Sequence, residues 1–293
     1  MKACQAQRSN ADSAIGTDLM NDARREFVAL VAREPVPLAR CALLIAKEEY
    51  PALDVDKYLD ALIALARKGE AQICAAEDTF ERVERLSHFL FVEQGFAGNA
   101  NEFDDPRNSF LNDVIERRLG IPISLSVVYI EVGRQLGLDL HGVSFPGHFL
   151  VKAVDELGEL IIDPYNQGSI LSIDDIRARL HQVYGEEMEL QPELLKSADA
   201  RQILSRMLRN LKNIYVGSSD WTRGLSALDR ILILEPKSSN ELLERSGLYE
   251  KLECFQAALD DLQSFLSVSP DHPESESARE GVIRLMRQVA LIN

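Results

Sequence analysis

The sequence predicts an α+β chain, mostly helical, with a small antiparallel sheet followed by an all-α array. Three observations carry this. Apolar residues recur with helical spacing from Asp22 to Gly137, three short apolar runs separated by turn signals occupy 140–163, and a repeat of 34 residues lies near the end. Helices followed by strands, rather than alternating with them, is the α+β plan. The 293 residues suffice for two modest domains, and 46% apolar residues is too many for a disordered chain.

Each element has its own signal. Residues 1–20 are small and polar and read as a disordered tail. From Asp22, a helical stretch places Phe27, Val28, Leu30 and Val31 together before Pro35 and Pro37 stop it. A second helix runs from about Leu38 to Glu49. Asp54 is the N-cap of a third, which presents Tyr58, Leu59, Leu62, Ile63 and Leu65. A fourth is expected from about Asp78 to Gln94. Asp105-Pro106 is a cap followed by a proline at the first helical position, and that helix is expected to end at Gly120. Pro122 starts another, which stops at Gly137. Leu140 to Phe145, His148 to Val154 and Glu159 to Asp163 are the three predicted strands, and Ser172 opens one more helix. The expected domains are a tail (1–20), a first domain with its N-terminal helices (21–190), a connector (191–204) and helical repeats with a capping helix (205–293).

Composition narrows the function classes. Formal charge is -15 and the pI about 4.8, with no Lys/Arg cluster, so nucleic acid and anionic membrane are not expected partners. Cys4, Cys41, Cys74 and Cys254 have neither CxxC spacing nor zinc-like histidine partners. The first twenty residues lack a continuous apolar core of the signal-peptide kind, and no window reaches the ~18 apolar residues of a membrane helix. A cytoplasmic protein is the expectation.

In the repeat, Tyr215, Trp221, Gly224 and Pro236 recur as Tyr249, Phe255, Ala258 and Pro270. The small residue lets two helices approach closely, and the proline ends each unit. This pattern resembles the tetratricopeptide repeat (TPR), over about Ser205 to Pro270, with Lys212 and Ser246 departing at the usual first glycine position. The resemblance implies capture of a partner protein or peptide. Arg209 and Asn213 are expected on the concave side, as candidates to grip a carboxylate. The oligomeric state has no signal.

Chemistry concentrates further upstream. A hairpin turning near residue 156 brings His148 and Asp163 within about one pair of each other. A histidine oriented by a carboxylate is half of a nucleophilic triad. The third member belongs at a helix N-terminus, where the dipole lowers a thiol's pKa, and the helix at Pro122 is in the right place.

The blocks DDPRNSFLNDVIERRLGIPISLSVVYIEV, GVSFPGHFLVK and IIDPYNQG resemble the transglutaminase-like, papain-related core. Within it they resemble the family of the "invasion regulator B" (Sir-B) type, which also carries TPR repeats. The superfamily's cysteine would fall near Pro122 to Ser124, and no cysteine lies there. Cys41 and Cys74 stand far upstream in apolar helical contexts and read as core residues. Ser124 or Ser126 is the alternative nucleophile, with His148 as base and Asp163 as orienter, though either serine equally satisfies exposed N–H groups at a helix start. His148 reads equally as a strand histidine paired for structure alone. Asp104, Asp105, Arg107, Asn108 and Asn112 form a polar cluster that, with Pro122, Tyr165 and Asn166, is the candidate cleft lining. No metal spacing surrounds His88, His141, His181 or His272, and no cofactor is expected. The favoured reading is a regulatory or protein-binding module rather than an enzyme. The alternatives are a serine-dependent hydrolase or acyltransferase and a pure scaffold.

Overall fold

The computed structural model describes residues 22–185 and 187–292, so the expected tail, with Cys4, lies outside the described residues. The chain forms two compact units, one spanning Ala29–Met207 and the other combining 22–28 with the residues from Leu208 onward. The first helix was expected to belong wholly with the first domain. Its opening residues instead group with the repeats.

The first unit is built around one helix. Helix α6 (Pro122–Gln135) is buried from Pro122 through Ile130. A helix apolar on all sides must be enclosed. Helices α2 (Leu38–Glu49), α3 (Val55–Cys74) and α5 (Leu111–Arg117) pack on it, as do two strands of the sheet. The caps are those the sequence announces. Asp54 accepts from the Asp56 and Lys57 amides at 3.1 and 3.2 Å at the start of α3. Asp78 accepts from the Glu81 amide at 2.8 Å at the start of α4 (Thr79–Ser87).

Two helices differ from expectation. The fourth does not run unbroken to Gln94, because His88–Glu93 is a π-helix. Phe89, Leu90 and Phe91 are consecutive buried residues within it. The helix expected from Asp105 to Gly120 is split into a 3-10 turn (Pro106–Asn108) and α5. The buried Asn108 amide donates to the Glu102 carbonyl at 2.6 Å and folds the chain back there. Arg118 then takes a left-handed backbone, φ 60°, and ends α5. Strand β2 (Leu119–Gly120) follows and pairs in parallel with β1 (Ala97–Gly98).

The main sheet holds β3 (Leu140–Val143), β4 (Leu150–Asp155), β5 (Gly158–Asp163), β6 (Ser169–Leu171) and β7 (Ser197–Ala198), ordered β6-β5-β4-β3-β7 and antiparallel throughout. The β4–β5 hairpin closes at Asp155 and Gly158, with the Asp155 carboxylate accepting from the Leu157 and Gly158 amides at 2.8 and 3.0 Å. Strand β7 lies inside the stretch expected to be a connector. Helix α7 (Ile173–Tyr184), capped by Ser172, buries Ile176 and Leu180 against Val143, Phe145, Leu150 and Ile161. At roughly 1.5–3 kcal/mol per buried side chain, that cluster holds α7 firmly to the sheet.

In the second unit, α9 (Trp221–Leu234), α10 (Ser239–Lys251), α11 (Phe255–Val268) and α12 (Ser275–Ile292) each pack on the next, following α8 (Ala200–Gly217). A Cβ added at Gly224 would meet Leu248 Cδ1 at 3.1 Å, which is why the repeat needs a small residue there. Ion pairs about one repeat apart stitch the helices, Arg209 to Glu241, Lys212 to Glu244 and Arg284 to Glu250. Helix α1 (Asp22–Val31) joins this unit through Arg24, whose guanidinium reaches Asp229 Oδ2 at 3.3 Å and Ser226 Oγ at 2.8 Å. Among the described residues no helix is long and apolar enough to cross a membrane.

Candidate functional site

The β4–β5 register sets the site. Val151 pairs with Ile162, so Asp163 closes β5 while His148 stands just before β4 in a tight turn. That turn, His148 N–H to Phe145 C=O at 3.1 Å, needs Gly147 at φ +67°. His148 Nε2 lies 2.8 Å from Asp163 Oδ1. Oδ1 also accepts from the Tyr165 and Asn166 amides at 3.1 and 3.3 Å, capping the 3-10 turn Pro164–Asn166. Oδ2 accepts from Asn166 Nδ2 at 2.6 Å and pairs with the Arg179 guanidinium at 2.6 Å. Arg179, on α7, has no signal in the sequence that separates it from other helix-surface arginines. Its place beside the buried Ile176 and Leu180 brings it to the sheet.

Asp163 is completely buried. Burial alone would push its carboxyl up. The His148 hydrogen bond, the Asn166 amide and the Arg179 charge outweigh that and hold it below the usual aspartate range. An ionised Asp163 can only accept, so His148 Nε2 carries the proton. Nδ1 then presents a lone pair or, on protonation, a second N–H. Among the described residues Nδ1 makes no hydrogen bond, and the side chain is 16% exposed. The Tyr165 ring stands edge-on to the imidazole, centroids 5.9 Å apart, and edge-on to Phe103 at 6.4 Å. Tyr165 lies so close over β1 that a Cβ at Gly98 would sit 2.5 Å from its ring. Since β1 pairs with β2, one residue before the α6 cap, Tyr165 links the His148 corner to the start of α6.

That start carries no thiol; residues 121–126 read Ile-Pro-Ile-Ser-Leu-Ser. Both serines are fully buried. Ser124 Oγ donates to the Asn108 carbonyl at 2.6 Å and accepts from the Ile121 amide at 3.0 Å, the backward half of a helix cap. Ser126 Oγ donates to the Pro122 carbonyl at 2.7 Å, one turn back. Among the described residues neither hydroxyl bonds to His148; each donates to a backbone carbonyl. Cys41 is buried in α2; Cys74, expected in a core, is exposed at the end of α3.

The upstream polar cluster forms a second network. Asp105 caps the 3-10 turn, accepting from the Arg107 amide at 2.9 Å, and pairs with the Arg107 and Arg117 guanidinia at 2.7 and 3.4 Å. Burial opposes ionisation of Asp105, but the Arg107 hydrogen bonds prevail and lower its pKa. Asn108 Oδ1 accepts from Asn99 Nδ2 at 3.1 Å, so through Asn108 and Ser124 this network braces the α6 start. Asn112 is buried with its Oδ1 unpaired among the described residues. Of the expected lining, then, His148, Asp163, Tyr165 and Asn166 meet directly, while Asp105, Arg107 and Asn108 brace Pro122. A cavity of about 630 Å³ opens beside Phe80, His88 and Gln167–Ser172, and neither His148 nor Asp163 lines it. Among the described residues no cluster of His, Cys, Asp or Glu is placed to hold a metal ion.

In the repeats, Arg209 differs from expectation. Its Nε bonds Glu241 at 2.8 Å and its Nη2 bonds Glu235 at 2.5 Å, so two carboxylates of its own unit already hold the guanidinium. Asn213 is exposed.

A model of the transglutaminase-like superfamily matches residues 55–209, and one of the tetratricopeptide repeat matches residues 211–282. The chain is similar to the UPF0162 protein of Xylella fastidiosa (strain Temecula1), 38% identical over 264 residues, covering 89% of this chain and 94% of that protein. It is 34% identical to the UPF0162 protein of Pseudomonas aeruginosa, across 86% of this chain and 92% of that protein. Identity to Protein SirB1 of Salmonella typhimurium is 26%, across 79% and 85% of the two chains.

Proposed function

This chain belongs to the transglutaminase-like superfamily, in the branch that carries C-terminal tetratricopeptide repeats, and from that membership we propose that it is a non-catalytic regulatory or protein-binding module. The observation that carries the reading is an oriented base with nothing to activate. His148 is set by Asp163 and Arg179, yet the α6 start offers no thiol, and its two hydroxyls are spent on backbone carbonyls. In the neutral imidazole Nδ1 is therefore an acceptor held in one position. It suits a peptide N–H better than the small anion that a positive cleft would take. The TPR region supplies partner capture. There Arg209 acts as a pin between repeats, and Asn213 is the group free to meet a partner.

Treatment of the whole chain with a serine-directed fluorophosphonate, followed by intact-mass analysis, tests the non-catalytic reading. We expect no adduct at Ser124 or Ser126. An adduct there that disappears in His148→Ala would establish the hydrolase instead.

A further inference from the structure

Helix α12 is covered on one side only. Ala278 and Leu285 are buried on the side that meets α11, and the packing there is close, since a Cβ added at Gly281 would meet Leu262 Cδ1 at 2.8 Å. The opposite side faces solvent. Ile283 and Met286 are each 54% exposed, and Leu291 is 87% exposed. The last helix of a stacked array ordinarily turns a polar face to water, because no further repeat follows to cover it. Here Ile283, Met286 and the exposed Ala290 instead follow the i, i+3, i+7 spacing of a seam that a neighbouring helix covers.

Charge says which helix. The chain carries -15, yet α12 sets three arginines (Arg279, Arg284 and Arg287) against two glutamates (Glu276 and Glu280), a local balance of +1. The self-repulsion of so acidic a chain is relieved at this face. The charges are also ordered, with Glu276 and Glu280 before Ile283 and Arg287 after it. Arg284 is engaged by Glu250, and Arg279 Nη2 by the Pro270 carbonyl at 3.1 Å. Glu280 and Arg287 are exposed, and among the described residues neither forms an ion pair.

A second α12 laid antiparallel, with the two-fold axis at Ile283, brings residue 280 of one copy beside residues 286 and 287 of the other. Both charged positions lie on the same side of the seam, so each Glu280 meets the Arg287 of the second copy, twice over by symmetry. Ile283 then packs on Ile283, and Met286 lies along the aliphatic stem of Arg279. A parallel pairing would set Glu280 against Glu280 and Arg287 against Arg287. The seam is self-complementary in one direction only. We propose that the outer face of α12 is a docking surface for a second copy of this chain, through an antiparallel α12–α12 pair. The inference does not rest on the partner-binding reading given above.

Sedimentation velocity of the full chain up to about 100 µM is the test, because a seam of about five helical turns makes a small interface of micromolar affinity. A concentration-dependent dimer is expected. Glu280→Arg and Arg287→Glu each turn two attractive pairs into two repulsive ones, and each should weaken the dimer about tenfold. When the two variants are mixed, or combined in one chain, opposite charges face each other again and association should return to near the wild-type level. Ile283→Asp places two carboxylates together on the axis and should abolish the dimer with far-ultraviolet dichroism unchanged. A chain that stays monomeric throughout overturns the proposal and leaves this face to a different protein. A dimer that no variant weakens, or that the charge swap fails to restore, overturns it as well.

Discussion

Two buried ion networks, one in each unit, are closed in different ways. Around Asp163 every lone pair of the carboxylate is engaged, by a histidine, two backbone amides, an asparagine and an arginine. What remains open there is a single acceptor, His148 Nδ1. Around Arg245 the cation is saturated by two carboxylates, Asp229 and Asp261. The first network is arranged to hold one imidazole in one orientation. The second sets two guanidinia, Arg245 and Arg24, against the carboxylates of Asp229 and Asp261. Burying ions is costly, and each network offsets that cost with matched partners.

The comparison breaks first at Asp163. Asp163→Ala strands the Arg179 charge and releases His148, and should cost about 3–5 kcal/mol in urea denaturation of the first unit. A loss below about 1 kcal/mol would mean the network is not what holds that corner. Arg245→Met should cost about 3 kcal/mol in the repeat unit, because Asp261 loses its bidentate partner. Trp221, the one tryptophan and part of α9, reports that transition by fluorescence separately from far-ultraviolet dichroism.

Acid sharpens the contrast. The Asp163 pKa is depressed in the folded state. Its contribution is therefore complete above the unfolded aspartate value of about 3.9 and is lost as pH falls through the lower folded value. Stability measured between about pH 5 and pH 3 should decline in the wild type and decline less steeply in Asp163→Asn. Ser124→Ala should cost about 1 kcal/mol for two lost backbone bonds at the α6 start, against less than about 0.5 for Ser126→Ala, whose bond only duplicates a helical acceptor. The smallest effect belongs to the surface. Asn213→Ala should leave stability unchanged within about 0.5 kcal/mol while weakening partner capture by the whole chain.

Local signals were the legible ones. The hairpin carrying His148 and Asp163, the proline opening α6 and the caps at Asp54 and Ser172 are written in neighbouring residues. The repeat is written in spacing, from Tyr215 to Tyr249 and from Gly224 to Ala258. What escaped was set by partners distant in sequence. Strand β7 is two polar-flanked residues that become a strand only because β3 offers an edge. The parallel β1–β2 pair is equally short. Arg209 is exposed and suited to a ligand when its helix is taken alone, and Glu241, 32 residues on, claims it. Arg179 is an ordinary helix arginine until α7 docks on the sheet. The split near Asn108 comes from one buried amide reaching back to the Glu102 carbonyl, a contact that capping rules do not foresee.

The central claim is that His148 is an oriented base with no nucleophile. Nitrogen NMR of the imidazole, with His148 assigned by His148→Ala, tests it most directly. The account predicts a proton on Nε2, held toward Asp163, and an Nδ1 signal that is unchanged in Ser124→Ala and Ser126→Ala. An Nε2 without its proton, or an Nδ1 signal that moves when either serine is removed, would contradict it, and the second would return a nucleophile to the site.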